Sequence, residues 1–502
     1  MRNAVKAAFI LSAFTFAERL LGFLFKIFLS RWLGAAAIGV YQVAFSFFIV
    51  LLTLITSGIP LVVSKMTAKC SVEKNTNCEG SITTSALILG LCIATICSGV
   101  ILLFKNSLST LFADQKSITL IILMLPSLFF SAVYSAYRGN LWGKQKYLIV
   151  SALEFIEQVF RIICFVLMVL IGFDKLNATA VSTSISCLIS AACCLICYIR
   201  LNGKFAKPYG QIKPLLKSAF PVTMTRVSTS IVSSIIAIIV PMFLIMSGKD
   251  SQSAMYIYGY SVGMAMPLIF VPLTFIGSIS FVLIPSLSVA SVNNNQKSII
   301  NQIEKALEIS IILGVLFFPA FFVLGEPIGI LLYNNADAGK FLSYSAWLIL
   351  PVAIESITSS MMNSLDLEYK GFINYCIGSA VMFIILFAFS KVFNIHYYVI
   401  GTGLSLILSS ILDIFAMRKK IKFGKKILPN IIKNCFMLIP SCLITKWIYN
   451  ICYSLPLFFR IAISAGSGFM FLLCLFFLLG SLKIEYFFGK RNNNFKSKNV
   501  AN

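Results

Sequence analysis

Ala86-Leu-Ile-Leu-Gly-Leu-Cys-Ile-Ala-Thr-Ile-Cys-Ser-Gly-Val-Ile-Leu-Leu-Phe104 runs without a single charge. As a helix this stretch rises about 28 Å, close to the thickness of a bilayer's hydrocarbon core. A helix in a soluble protein of this size keeps one polar face, whereas this segment and Phe469 to Leu479 are apolar all round. Such runs recur from end to end, and the composition agrees: 59% of the 502 residues are hydrophobic and 12% charged. The fold class this predicts is an all-α integral membrane protein. The first apolar stretch passes into further spans without a small-residue cleavage site, so it reads as a retained helix.

At roughly 20 residues per crossing the chain holds about fourteen spans, centred near residues 18, 50, 92, 127, 160, 188, 233, 270, 314, 352, 382, 406, 441 and 470. Lys and Arg accumulate in cytoplasmic loops. With both termini cytoplasmic, the inward segments carry 27 basic residues against 8 outside. Arg138, Lys144 and Lys146 are among the inward ones, as are the Arg418 to Lys426 cluster and the tail from Lys483 to Lys498. The formal charge of +24 is therefore mainly a topology signal. Scattered over short loops, it makes no contiguous nucleic-acid patch.

Arg19 stands near the middle of the first span and Arg226 inside the seventh. A guanidinium at bilayer depth costs roughly 2.5–3.5 kcal/mol on insertion scales, so it turns toward a hydrated cavity or a counter-charge. A hydrated cavity lined by Arg favours anionic cargo. Ser12-Ala13-Phe14 precedes Arg19 much as Ser218-Ala219-Phe220 precedes Arg226, an offset of about 207 residues with a one-residue slip. Six spans precede the second copy, which suggests two pseudo-symmetric six-helix lobes and two further spans. The expected divisions are 1–205 and 206–426 for the lobes, 427–482 for the last two helices, and 483–502 for a basic cytoplasmic tail.

On the first span Arg19, Gly22 and Lys26 lie at i, i+3 and i+7, so both cations share a face about 10 Å apart. The bland alternative pairs Arg19 with a carboxylate of another span such as Glu355 or Asp413. Thr223, Arg226, Ser230 and Ser233 form a matching stripe on the seventh span; hydroxyls suit sugars, and they also let membrane helices pack closely. On the fifth span Glu157 and Arg161 are spaced i, i+4 in the favourable order for an ion pair. Glu154, Glu157 and Glu355 are the candidates for binding a driving ion. In the eighth span Gly263, Pro267 and Pro272, with Gly259 and Gly277, interrupt the helix and mark either a gate or a fixed kink.

A resemblance follows from particular segments. Arg19-Leu-Leu-Gly-Phe-Leu-Phe-Lys26, Arg31-Trp-Leu-Gly34, Gly39-Val-Tyr41, Ser57-Gly-Ile-Pro60, Val63-Ser-Lys65, Tyr137-Arg-Gly139, Gly143-Lys-Gln145, Glu157-Gln158 with Arg161, Pro221-Val-Thr223, Gly263-Met-Ala-Met-Pro267 and Ile284-Pro-Ser286 together resemble the stage V sporulation protein B family. That family belongs to the polysaccharide-transporter branch of the multidrug/oligosaccharidyl-lipid/polysaccharide (MOP) exporters, alongside the lipid II flippase MurJ. The resemblance implies two six-helix lobes around a central cavity. It also implies flipping of an undecaprenyl-linked glycan, such as a peptidoglycan precursor or polysaccharide unit, across the plasma membrane by alternating access. On this reading Arg19 and Arg226 hold the diphosphate, and Lys26, Thr223 and Ser230 assist. The second span, Tyr41 to Leu61, lacks the arginine that MurJ-type proteins carry, which leaves the sugar open.

The partners expected are the glycan lipid and membrane lipids, with no nucleic acid and a monomeric transporter. No cofactor is expected, and the drive would come from membrane potential, a proton gradient or a sodium gradient. Gly-rich phosphate loops are absent from the sequence. Cys193, Cys194 and Cys197 sit in an apolar span without histidine nearby and read as filler rather than metal ligands. Cys70 and Cys78 fall on the expected cytoplasmic side, where a disulfide is disfavoured. Two rival classes remain. A MATE-type drug or cation antiporter needs a cavity lined by acids, and a polyprenyl-dependent polymerase or ligase needs sizeable outer loops.

Overall fold

The computed structural model describes residues 2–73, 75–208, 210–274, 276–277, 287, 296–421, 433–434 and 436–479. Among them the protein is helical, with no strand. The motif Ile284-Pro-Ser286, most of the Arg418 to Lys426 cluster and the basic tail 483–502 lie outside the described residues.

Helix α1 (Arg2–Thr56) breaks at Gly34, where φ is 78° and ψ is 169°. Lys26 Nζ donates to Gln42 Oε1 at 2.9 Å although the two are 16 residues apart. In an unbroken helix that separation spans about 24 Å, so the chain reverses at Gly34, midway between them. Positive φ is the reason the turn uses glycine. The limbs 2–33 and 35–56 are thus two crossings, and the second continues past Ser57 into α2 (Gly58–Val72). Next come α3 (Thr76–Leu103), the short α4 (Lys105–Ser109), α5 (Lys116–Gly143), α6 (Tyr147–Leu170), α7 (Lys175–Arg200) and α8 (Ile212–Met246). The eighth span is composite: α9 (Ser251–Tyr258), a π-helical turn Gly259–Ala265, and α10 (Met266–Ile269). They are followed by α11 (Gln296–Tyr333), α12 (Ala336–Ser345), α13 (Ile349–Ser364), α14 (Glu368–Ala388), α15 (Ile395–Lys420), α16 (Leu438–Ile451) and α17 (Leu457–Leu478).

Eleven helical segments are long and apolar enough to cross a membrane. The first of them, Phe16–Val72, is the hairpin and counts twice. Helix α6 has the length but carries Glu154, Glu157 and Arg161, and α16 is short at 14 residues. With both included the described residues give about fourteen crossings, and every expected span centre falls in one, the centre at 270 within the longer segment Ser251–Thr274. Helix starts are capped where a side chain can accept a free backbone N–H. Asn75 accepts from Cys78, Asp174 from Asn177, Asp250 from Ser253 and Asn335 from Ala338. At the exposed α9 cap, the Ser253 hydroxyl and backbone N–H hold the Asp250 carboxyl below the usual carboxylate range.

The described chain forms two compact units, residues 1–267 with 379–401, and residues 268–378 with 402–502. In the first unit α5 is the enclosed helix, packed by α1, α2, α3 and α7, with Leu120, Ile121, Met124, Leu128 and Ala136 fully buried. Close approach depends on glycines. Gly139 and Gly143 of α5, four apart, press on Pro60, Val63, Ser64 and Thr67 of α2, the small-residue seam common between membrane helices. Gly58 meets Ala219 and Thr223 of α8. Several segments that carry the family resemblance are therefore seams. Gly39 and Gly259 face each other across α1 and the π turn, where a Cβ on Gly259 would strike the Ala35 carbonyl. We expect Gly259→Ala to cost about 1–3 kcal/mol through overpacking, read as a lower thermal midpoint in detergent; an unchanged midpoint would show that the crossing is slack.

One expectation is corrected here. Cys70 and Cys78 form a disulfide, with Cα atoms 6.0 Å apart. The turn after α2 carries the chain straight back into α3 and brings the two thiols together, whichever compartment the loop faces. Beside it Glu79 pairs with Lys144 at 2.9 Å and accepts from Ser71 at 2.6 Å, tying this turn to the end of α5. In the second unit, Ile303, Leu307, Ile357, Met361, Met362 and Met417 build a core between α11, α13 and α15. Helices α16 and α17 pack on α11 through Met437, Leu472 and Phe476.

Candidate functional site

Helix α6 presents Glu154, Glu157, Gln158 and Arg161 at i, i+3, i+4 and i+7, one face of a helix. That face lines a cavity of about 260 Å³ within the first unit, closed by Glu18 and Phe48 of α1, Ser131, Tyr134 and Arg138 of α5, and Thr183 and Cys187 of α7. The expected pair is present: Arg161 Nη2 lies 2.6 Å from Glu157 Oε1. Arg161 Nε also donates to Ser186 Oγ at 3.3 Å, and its Nη1 reaches Gln158 Oε1 at 3.5 Å.

Glu154 is paired as well, with Arg138 Nη1 at 3.2 Å. Arg138 is not a loop cation as its place among the inward basic residues suggests. It lies instead within α5, its guanidinium 4.1 Å above the Trp142 ring, a cation–π contact that helps hold a charge away from water. The signal in the sequence was Glu154, an intramembrane acid with no partner on its own helix. Three carboxylates thus face two guanidinium groups, and the Tyr134 hydroxyl, only 7% exposed as a residue, and Arg138 Nε are buried without hydrogen-bond partners among the described residues.

A second cavity, about 280 Å³, lies between the second limb of α1 and α8. Gln42, Phe45, Ser46 and Ile49 line one side at i, i+3, i+4 and i+7; Thr229, Ser230 and Ser233 line the other. Those three are i+3, i+4 and i+7 from Arg226, which therefore sits one turn away on the same face of α8. Lys26 reaches the cavity through its bond to Gln42, which in turn donates to Ser46 Oγ at 3.4 Å. Ser230 Oγ lies 3.2 Å from Thr53 Oγ1 and also donates to the Arg226 carbonyl. Thr223 is buried against Gly58 and does not line this cavity.

Arg19 and Arg226 are both exposed. Among the described residues neither takes part in an ion pair, whereas Arg138 and Arg161 each hold a glutamate. In the second unit Asp413 accepts from Asn374 Nδ2 at 2.8 Å, with Glu355 and Thr358 of α13 beside it. Gly263 falls in the π turn and packs on Ile38, Pro267 lies in α10 and Pro272 follows the break at Phe270, so the interruption of the eighth span is real. Cys193, Cys194 and Cys197 are free, and among the described residues no group of three metal-binding side chains occurs.

Residues 4–291 match the family described as polysaccharide biosynthesis protein. Stage V sporulation protein B of Bacillus subtilis (strain 168) is 23% identical over 392 residues, 75% of this chain and 76% of that protein. Sporulation protein YkvU of the same strain is 21% identical over 361 residues, 68% of this chain and 78% of that protein. Among solved structures, the lipid II flippase MurJ in an inward closed conformation superposes with a TM-score of 0.73 at 18% identity, covering 94% of this chain and 99% of MurJ. An inward-facing multidrug resistance MATE family transporter of the MOP superfamily gives 0.69 at 15% identity, covering 80% of this chain and 94% of that one. With a fold shared with these transporters and a family match over more than half its length, the chain belongs to the polysaccharide biosynthesis protein family.

Proposed function

We propose that this protein moves a polyprenyl-diphosphate-linked saccharide between membrane leaflets by alternating access. The observation that carries the reading is the contrast among four arginines of the first unit: Arg138 and Arg161 are neutralised by glutamates, while Arg19 and Arg226 are exposed and, among the described residues, in no ion pair. Charges kept in membrane helices commonly mark substrate or ion pathways, and an anionic ligand would supply the counter-charge here. Guanidinium binds phosphate oxygens through a planar fork of donors, so a diphosphate is the fitting anion. The amide and hydroxyl groups of the second cavity, beside Arg226 and Lys26, suit the hydroxyls of a sugar. The relatives' printed roles, sporulation proteins and a lipid II flippase, support a cell-envelope glycan as cargo.

The charged cavity serves the energy source in this reading. Three carboxylates against two guanidinium groups leave one negative charge that a proton or sodium ion would balance. Glu154 and Glu157 would therefore change partners during the cycle, with Glu355 a further candidate in the second unit. The π turn and the prolines of the eighth span, Gly263, Pro267 and Pro272, would form the lateral gate for the lipid tail. Both termini would face the cytoplasm.

A MATE-type antiporter is the second reading, favoured by the same acid-lined cavity. Reconstituted vesicles separate the classes. A fluorescent polyprenyl-diphosphoryl sugar is expected to become accessible to an impermeant quencher on the far side. Antiport of a lipophilic cation with no movement of the sugar lipid would select the antiporter, and cleavage of the glycan bond would select an enzyme.

A further inference from the structure

Three segments of the first unit meet around a third cavity: the Gly34 hairpin of α1, the start of α5, and the turn from α6 into α7. Its volume, about 740 Å³, exceeds that of either cavity described above. Trp32 and Phe173 supply aromatic walls, Lys116 and Lys175 supply two ammonium groups, and Thr119 and Asn177 supply polar ones. Asp174 also lines the recess, its carboxylate turned to the Asn177 N–H at 2.9 Å, and Asp114 beside it accepts from the Lys116 N–H at 2.8 Å. Among the described residues neither lysine is in an ion pair, and the Lys175 ammonium stands 5.7 Å over the Trp32 ring.

Tryptophans and lysines near the ends of spans ordinarily mark the membrane–water boundary, where lysine snorkels toward water. Snorkelling explains each residue singly. It does not explain why two lysines from separate helices, neither of them in an ion pair among the described residues, line one recess between three segments, with an aromatic ring under one of them. We propose that this recess is a lipid-phosphate site: Lys116 and Lys175 hold the phosphate of an anionic lipid, and Trp32 and Phe173 cover its glycerol or sugar portion. The site is separate from the cargo cavities and does not depend on the flippase reading. Its phosphate can come from a bilayer phospholipid or from a polyprenyl diphosphate.

The test uses the purified full-length protein and native mass spectrometry to count retained lipid, comparing phosphatidylglycerol with phosphatidylcholine and then adding polyprenyl diphosphate. Wild-type protein is expected to retain phosphatidylglycerol preferentially. Lys116→Ala/Lys175→Ala is expected to bind it at least about tenfold more weakly, while Lys116→Arg/Lys175→Arg keeps the preference, which shows that charge rather than folding is lost. Lys249→Ala/Lys391→Ala, at loop lysines elsewhere, should leave retention unchanged. Displacement by equimolar polyprenyl diphosphate, sensitive to the same alanine variant, would identify the polyprenyl lipid as the source and still support the site. Equal retention of both phospholipids, or a preference untouched by the alanine variant, would overturn it.

Discussion

Arg161→Ala is expected to destabilise the first unit by about 3 kcal/mol, toward the lower end of what breaking a buried ion pair costs. The lower end applies because the two side chains keep 17% and 19% exposure. The cost comes less from the lost attraction than from Glu157, left charged among Cys187, Thr183 and the apolar wall of the cavity. For the same reason Glu157→Ala/Arg161→Ala should recover much of the loss, since neither charge is then stranded. A double-mutant cycle on thermal or denaturant unfolding in detergent measures this coupling. Additive single losses, or a silent Arg161→Ala, would show that the pair is ornamental. Arg138→Ala should behave similarly but less severely, because Arg138 and Glu154 each keep 25% exposure.

Arg226→Ala is expected to slow translocation of a polyprenyl-diphosphoryl sugar by roughly 10- to 100-fold, the equivalent of losing a charge-assisted contact of about 1.5–3 kcal/mol. Folding should be spared, because Arg226 is exposed and makes no ion pair among the described residues. Arg226→Lys should fall in between, keeping the charge but losing the two-pronged geometry. Lys26→Ala should have a smaller effect, since its ammonium is already engaged by Gln42. Thr223→Val should act on stability rather than transport, given its burial against Gly58. Equal translocation by Arg226→Ala and wild type would remove Arg226 from the cargo site.

What the sequence shows of this protein follows from how local each signal is. Span positions were legible because a charge-free run of bilayer length has one physical meaning. The Glu157–Arg161 pair was legible because both ends lie on one helix at a fixed spacing. Arg138 was not, because its partner Glu154 is on the neighbouring helix, and near a span end an arginine looks like a loop cation until the neighbour is placed. The first two crossings could be separated by counting, yet Gly34 emerges as the reversal point only when Lys26 is seen bonded to Gln42. Gln42, Ser46 and Thr229 were missed for a related reason: uncharged polar residues on a membrane helix read as packing until two such faces are found opposed. The Cys70–Cys78 bond is not legible from compartment alone, because it is set by the tight turn between α2 and α3.

Recognition of a diphosphate by Arg19 and Arg226, neither in an ion pair among the described residues, can be tested by binding without requiring turnover. The measurement is the affinity of the full-length protein in lipid nanodiscs for polyprenyl diphosphate and for the uncharged polyprenol, in wild type and in Arg19→Gln/Arg226→Gln. The expected result is a preference of about a hundredfold for the diphosphate in wild type, collapsing toward unity in the double variant at unchanged thermal midpoint. Equal preference in the two proteins would contradict it.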